Sequence, residues 1–149
     1  MWSTLDGTPV HSVENQNLTP ELFSGLRWVA ENTPRDAVFA IDTHHADAAG
    51  ADPRWCYFTA LAERRAWAGC AIAKTFSVHP GGDERVAVSD RIYAGDRRAL
   101  QRAVDDGVSF VAVDLVHGEP PDRRLARQGR LVFDNGALLV YDVRGLRRS

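Results

Sequence analysis

The sequence predicts an α/β domain whose mixed sheet is partly parallel and Rossmann-like, flanked by helices and finished by a C-terminal antiparallel β-hairpin. Three observations carry this. Apolar stripes at helical spacing alternate with short apolar runs of strand length. The run Val108 to Leu115 is apolar on both parities apart from Ser109 and Asp114, the pattern of a strand covered on two faces. Finally, Leu131–Asp134 and Ala137–Val143 flank Asn135-Gly136, a dipeptide that favours the type I′ turn of a tight hairpin.

Residues 1–18, with Gly7, Pro9, Asn15 and Asn17 and no sustained apolar period, read as an irregular lead-in. The domain is expected over 19–149. Thr19-Pro20-Glu21 has the form of a helix start: a capping hydroxyl, proline at the first helical position and a carboxylate near the positive end of the dipole. Leu22, Leu26 and Val29 then share a face, and Asn32-Thr33-Pro34 ends the helix. Ala37–Ile41 is a short strand that breaks at Asp42-Thr43-His44-His45. After Pro53 a second amphipathic helix places Trp55, Phe58, Leu61 and Ala62 at helical spacing and closes at Glu63-Arg64-Arg65. Ala66–Gly69 reads as a small strand, residues 74–82 as a turn-rich connection, and Val86–Tyr93 as a helix. Asp96 caps a clearer helix with the stripe Ala99, Leu100, Ala103 and Val104, and Gly107 suits a left-handed C-cap. Between the central strand and the hairpin, residues 117–129 hold Gly118, Pro120, Pro121 and a short arginine-rich helical turn.

With 149 residues, 44 % apolar and 26 % charged, the chain reads as one globular domain, neither disordered nor fibrous. A net charge of −2 asks for neither nucleic acid nor an anionic membrane as partner. Seventeen of the 18 basic residues are arginine, and their pairs, Arg64-Arg65, Arg97-Arg98, Arg123-Arg124 and Arg147-Arg148, are scattered among acids and read as solvated faces. No run approaches the roughly 20 apolar residues of a membrane span, and residues 1–9 lack a secretory pattern. Cys56 and Cys70 form neither a disulfide framework nor a zinc-ligand pattern, and read as two thiols or one bridge.

The densest polar cluster, Asp42 with His44, His45, Asp47 and Asp52, follows the first strand, where open α/β sheets bind ligands. Imidazoles and carboxylates together suit a divalent metal, but adjacent histidines diverge and a site needs three or four converging ligands, so no metal site is assigned. A solvated loop is the ordinary reading of such residues, and ligand contact the functional one. His11, His79 and His117 fall in separate loops and read as surface residues. Ser77 and Ser89 lack a nucleophile-elbow setting, and Pro80-Gly81-Gly82-Asp83 is a turn, not a phosphate loop. Trp28 and Trp55 read as core. Trp67, near a strand end, is a candidate for stacking on a flat ligand. No catalytic residue and no cofactor is assigned.

Several segments in order resemble the C-terminal soluble domain of polytopic bacterial membrane glycosyltransferases of the GT-C type and their uncharacterised relatives. They are Arg27-Trp28-Val29-Ala30-Glu31-Asn32-Thr33-Pro34 running to Val38, Ala62-Glu63-Arg64-Arg65-Ala66-Trp67-Ala68-Gly69, Asp90-Arg91-Ile92-Tyr93, Gly107 to Val113, and Leu131 to Val143. The resemblance spans about 120 residues and implies an extracytoplasmic domain attached to the membrane-embedded portion of a larger protein. It implies an accessory role, with carbohydrate or a lipid-linked acceptor as ligand and the loop around Asp42, His44 and His45 as its surface. In such enzymes the catalytic carboxylate lies in the membrane portion, so none is carried onto this chain. Two alternatives stand beside it. One is a free-standing cytoplasmic α/β protein that binds a nucleotide or small anion, or acts as a small metal-dependent hydrolase through Asp42, His44 and His45. The other is a structural domain that self-associates through its hairpin edge.

Overall fold

A computed structural model of the chain describes residues 18–42, 54–68 and 82–147. Residues 1–17 of the expected lead-in, the loop with His44 and His45, and the connection that holds Cys70, Ser77 and His79 lie outside the described residues, as do the side chains of Trp55 and Cys56, whereas Leu18 packs against the core.

In chain order the elements are α1 (Pro20–Asn32), β1 (Val38–Ile41), α2 (Arg54–Ala62), β2 (Arg65–Ala66), α3 (Gly82–Tyr93), α4 (Arg97–Asp105), β3 (Phe110–Asp114), α5 (Arg123–Ala126), β4 (Arg130–Asp134), β5 (Leu138–Asp142) and a 3₁₀ turn, Arg144–Leu146. The chain folds as an α/β domain around one five-stranded mixed sheet of order β2-β1-β3-β5-β4. The β1 strand is parallel to β2 and to β3, while β5 is antiparallel to both β3 and β4.

Alternation along the strands sorts side chains into two cores. Phe39 and Ile41 of β1, Phe110 and Ala112 of β3, and Leu138 and Val140 of β5 pack beneath α1 and α2. Ala40, Val111, Val113 and Tyr141 point the other way, against α3, α4 and Leu125 of α5. The layers are therefore helix, sheet, helix. Phe39 anchors the first core, its ring 5.0 Å from Phe110 and 5.1 Å from Phe58, and such aromatic pairs add about 0.5–1.5 kcal/mol beyond simple burial.

The helix ends follow the local chemistry read from sequence. The Thr19 hydroxyl accepts from the Leu22 amide at 3.1 Å with Pro20 behind it. The Asp96 carboxylate accepts from Arg98 and Ala99, and Gly107 adopts φ 103°. These bonds satisfy first-turn amides that have no partner inside the helix.

Six expectations need correction. The hairpin turn is not type I′: Gly136 has φ 81°, but Asn135 keeps a negative φ and the loop spans three residues. The Asn135 side chain accepts from the Ala137 and Leu138 amides and donates to the Glu21 carbonyl of α1 at 2.8 Å, so its backbone serves a clasp between the hairpin and the first helix. The helix expected from Val86 begins at Gly82, and β2 is ladder-paired only at Arg65 and Ala66. Trp28 is half-buried, stacked on Phe133 at 4.4 Å, instead of lying within the core. Arg64 is buried, not solvated: its guanidinium donates to the Ala30 and Thr33 carbonyls at 2.6 and 2.7 Å, to the Thr33 hydroxyl at 3.0 Å and to the Glu63 carbonyl at 3.0 Å. It thereby holds the negative end of α1. His117, the sixth, belongs to the site below.

Candidate functional site

The chain leaves β1 for β2 on one side of the sheet and later enters β3 on the other, so the strand order reverses between β1 and β3. Two crossovers of the same hand but opposite direction place their helices on opposite faces, α2 with one core and α3–α4 with the other. Beyond the carboxyl ends of two such strands no helix covers the gap, and this is where open α/β sheets bind ligands.

A crevice of about 530 Å3 lies there, lined by Asp42, Asp90, Tyr93, Ala94, His117, Gly118, Glu119, Pro120 and Pro121. Larger concavities of about 810 and 720 Å3 flank the 3₁₀ turn, and neither is lined by Asp42 or Asp114 at the strand ends. Position, not size, singles out the crevice.

Each wall has a local cause. Asp42, 9 % exposed, is the first residue after β1. Asp114 ends β3, and its Oδ1 accepts from the Val116 and His117 amides at 2.8 and 3.1 Å, which turns the chain across the strand ends. Its Oδ2 then accepts from His117 Nδ1 at 2.6 Å, fixing the imidazole, whose side chain is only 6 % exposed. His117 is thus not the surface histidine that the sequence suggests. The third wall is the last turn of α3. Ser89, fully buried, donates its hydroxyl to the Ile41 carbonyl at 3.0 Å and is a structural group, consistent with its lack of a nucleophile setting. One turn later the Tyr93 hydroxyl donates to the Ala112 carbonyl at 2.6 Å, with the Ala40 carbonyl at 3.2 Å. Tyr93 therefore ties α3 to both strands at the reversal. Burial, aided by the nearby charges of Asp42, Asp90 and Asp114, pushes its hydroxyl well above the ordinary tyrosine range.

Of the residues singled out from sequence, Asp42 lies in the crevice. Trp67 packs in the core against α3, 5 % exposed, with the Arg85 guanidinium 5.7 Å from its ring centre, and is not among the crevice walls. His44 and His45 lie outside the described residues. Sequence reasoning missed Asp90, Tyr93, Asp114, His117 and Glu119. One signal was present: Asp114 interrupts an apolar strand and is followed three residues later by histidine, the spacing of an aspartate-capped turn.

The crevice gathers the carboxyl groups of Asp42, Asp90 and Glu119 beside the C-terminal end of α3, with no lysine or arginine among the described residues that line it. Such a surface suits hydroxyl and amine donors and disfavours phosphate. Among the described residues no three histidine, cysteine or acidic side chains stand where they could share a metal ion. Comparison with protein-family models, with curated proteins and with solved structures finds no match to this chain.

Proposed function

We propose that this chain is a non-catalytic accessory domain of a membrane-associated, glycosyltransferase-like protein, positioned on the extracytoplasmic face and contacting carbohydrate or a lipid-linked acceptor. The observation that carries the ligand part is the carboxylate-lined crevice at the strand-order reversal. Carboxylate oxygens accept from neighbouring sugar hydroxyls, and the crevice offers three carboxyl groups around a floor held rigid by Tyr93 and Ser89. The membrane setting rests on the ordered segments quoted above. Among the described residues no helix is long and apolar enough to cross a membrane, so attachment would come through another part of the protein.

The test is the mass and sedimentation of the native polypeptide, detected in its own cells with an antibody against this domain. A product much larger than 16.5 kDa that pellets with membranes supports the reading. A soluble 16.5 kDa product overturns it and favours the free-standing alternative. For that alternative, the lining at the strand ends opposes a nucleotide or small anion, because its carboxyl groups and the C-terminal end of α3 repel negative charge.

A further inference from the structure

Beside the acidic crevice the fold assembles an opposite surface from segments that are distant in sequence. Residues 91–98 run from the end of α3 through the Ala94-Gly95 turn into α4, and residues 122–128 contain α5. Three contacts join them. The Asp122 amide donates to the Tyr93 carbonyl at 3.0 Å, Arg124 Nη2 to the Ala94 carbonyl at 2.9 Å, and Gln128 Nε2 to the Gly95 carbonyl at 3.0 Å. The two segments carry Arg91, Arg97, Arg98, Arg123, Arg124 and Arg127 against Asp96 and Asp122, and all six arginines are exposed. Arg91 pairs with Asp96 and Arg124 with Asp122, which consumes both carboxylates. Arg97, Arg98, Arg123 and Arg127 form no ion pair among the described residues. Within these two segments six arginines stand against two aspartates, and Arg97 and Arg98 also border Asp105 and Asp106 at the far end of α4.

We infer that this rim docks on an anionic lipid surface. Its chemistry is guanidinium alone. The large apolar side chains exposed among the described residues are Phe23, Val116 and Leu131, none of them in these two segments, so the rim lacks the apolar anchor on which protein interfaces concentrate their affinity. It also offers no exposed aromatic side chain on which a base would stack. A two-dimensional layer of headgroup phosphates needs neither. Because Ala94 both accepts from Arg124 and lines the crevice, the docked domain would hold the crevice beside the headgroups. This deepens the membrane-associated reading and rests on it.

The experiment is co-sedimentation of the full chain with vesicles of phosphatidylglycerol and phosphatidylcholine, compared with phosphatidylcholine alone. The wild type is expected to bind only the anionic vesicles and to be released at about 0.5 M salt, where the screening length falls to a few ångströms. Each arginine near an anionic surface strengthens binding about fivefold, so R97Q/R98Q and R123Q/R127Q should each weaken it about 25-fold. Arg35→Gln, at an exposed arginine outside both segments, should bind as the wild type does. The salt release needs no variant, so it tests the idea even if a substitution fails to fold. Equal binding to both vesicle types, no binding to the anionic ones, or unchanged binding by both double variants would overturn the inference. So would tighter, arginine-dependent binding of single-stranded RNA or of inorganic phosphate. Failure here with a native product in the membrane fraction removes this surface and leaves the accessory reading standing, whereas a soluble native product removes that reading by itself.

Discussion

Replacing Arg64 by methionine preserves most of the apolar stem and deletes four hydrogen bonds at once. Two of these go to the Ala30 and Thr33 carbonyls at the end of α1, which have no amide partner within the helix. A third goes to the Thr33 hydroxyl, which retains a bond to the Val29 carbonyl at 2.7 Å, and the fourth to the adjoining Glu63 carbonyl. Counting only the two terminal carbonyls at the lower end for charge-assisted bonds, about 1.5 kcal/mol each, gives a loss of about 3 kcal/mol. The desolvation that the buried cation no longer suffers offsets part of this, while the carbonyls left dry add to it. Against a typical total of roughly 5–15 kcal/mol the effect is large. Arg64→Lys should recover about half, since an ammonium reaches one carbonyl well but lacks the planar fork. Urea denaturation followed by circular dichroism reads the change as a shift in midpoint at constant slope. A methionine variant within about 0.5 kcal/mol of the wild type would refute the idea that this guanidinium holds the end of α1.

Other outcomes follow from the same geometry. Glu63 adopts φ 53°, a left-handed conformation that L side chains resist, and its pair with Arg27 at 3.2 Å is exposed. Glu63→Gly should therefore stabilise by about 0.5–1 kcal/mol, and a clear loss in thermal melting would show the ion pair to matter more than expected. Tyr93→Phe leaves the Ala112 carbonyl without its donor and should cost about 1–2 kcal/mol by urea denaturation near neutral pH. Because the fold favours the neutral phenol, the stability from Tyr93 is full below pH 10.0, its ordinary value, and is lost as pH rises beyond it. The Phe variant should accordingly lose less stability between neutral and strongly alkaline pH, and an equal loss would argue against Tyr93 as a source. On the acid side, Arg144 and Arg130 draw the Asp142 carboxyl down to about 2, and Arg124 does the same for Asp122. Depressed carboxyl groups contribute above their ordinary value of 3.8 and lose that contribution as pH falls toward 2. Melting temperature should thus drop across that interval, less steeply for Asp142→Asn. A parallel drop in that variant would place the acid sensitivity elsewhere.

What the residues determined by themselves was local: the Thr19 and Asp96 caps, the apolar stripes of α1 and α4, the two-faced β3 strand and the existence of the hairpin. Each depends on spacing within a few residues, and backbone geometry translates spacing directly into a face or a cap. The position of Asp42 at the end of β1 was legible for the same reason, because a strand end followed by polar residues is a local pattern. The rest required the fold. Nothing near Arg64 in the sequence marks it as buried, since its acceptors lie 31 and 34 positions away. The crevice unites residues after β1, at the end of α3 and after β3, which meet only because the strand order reverses between β1 and β3. The arginine pairs at 97–98 and 123–124 look scattered along the chain and become one rim only when α5 docks on the turn before α4. Charge and hydrogen bonding act through space, so a site built from several elements exists only once long-range packing has set their distances.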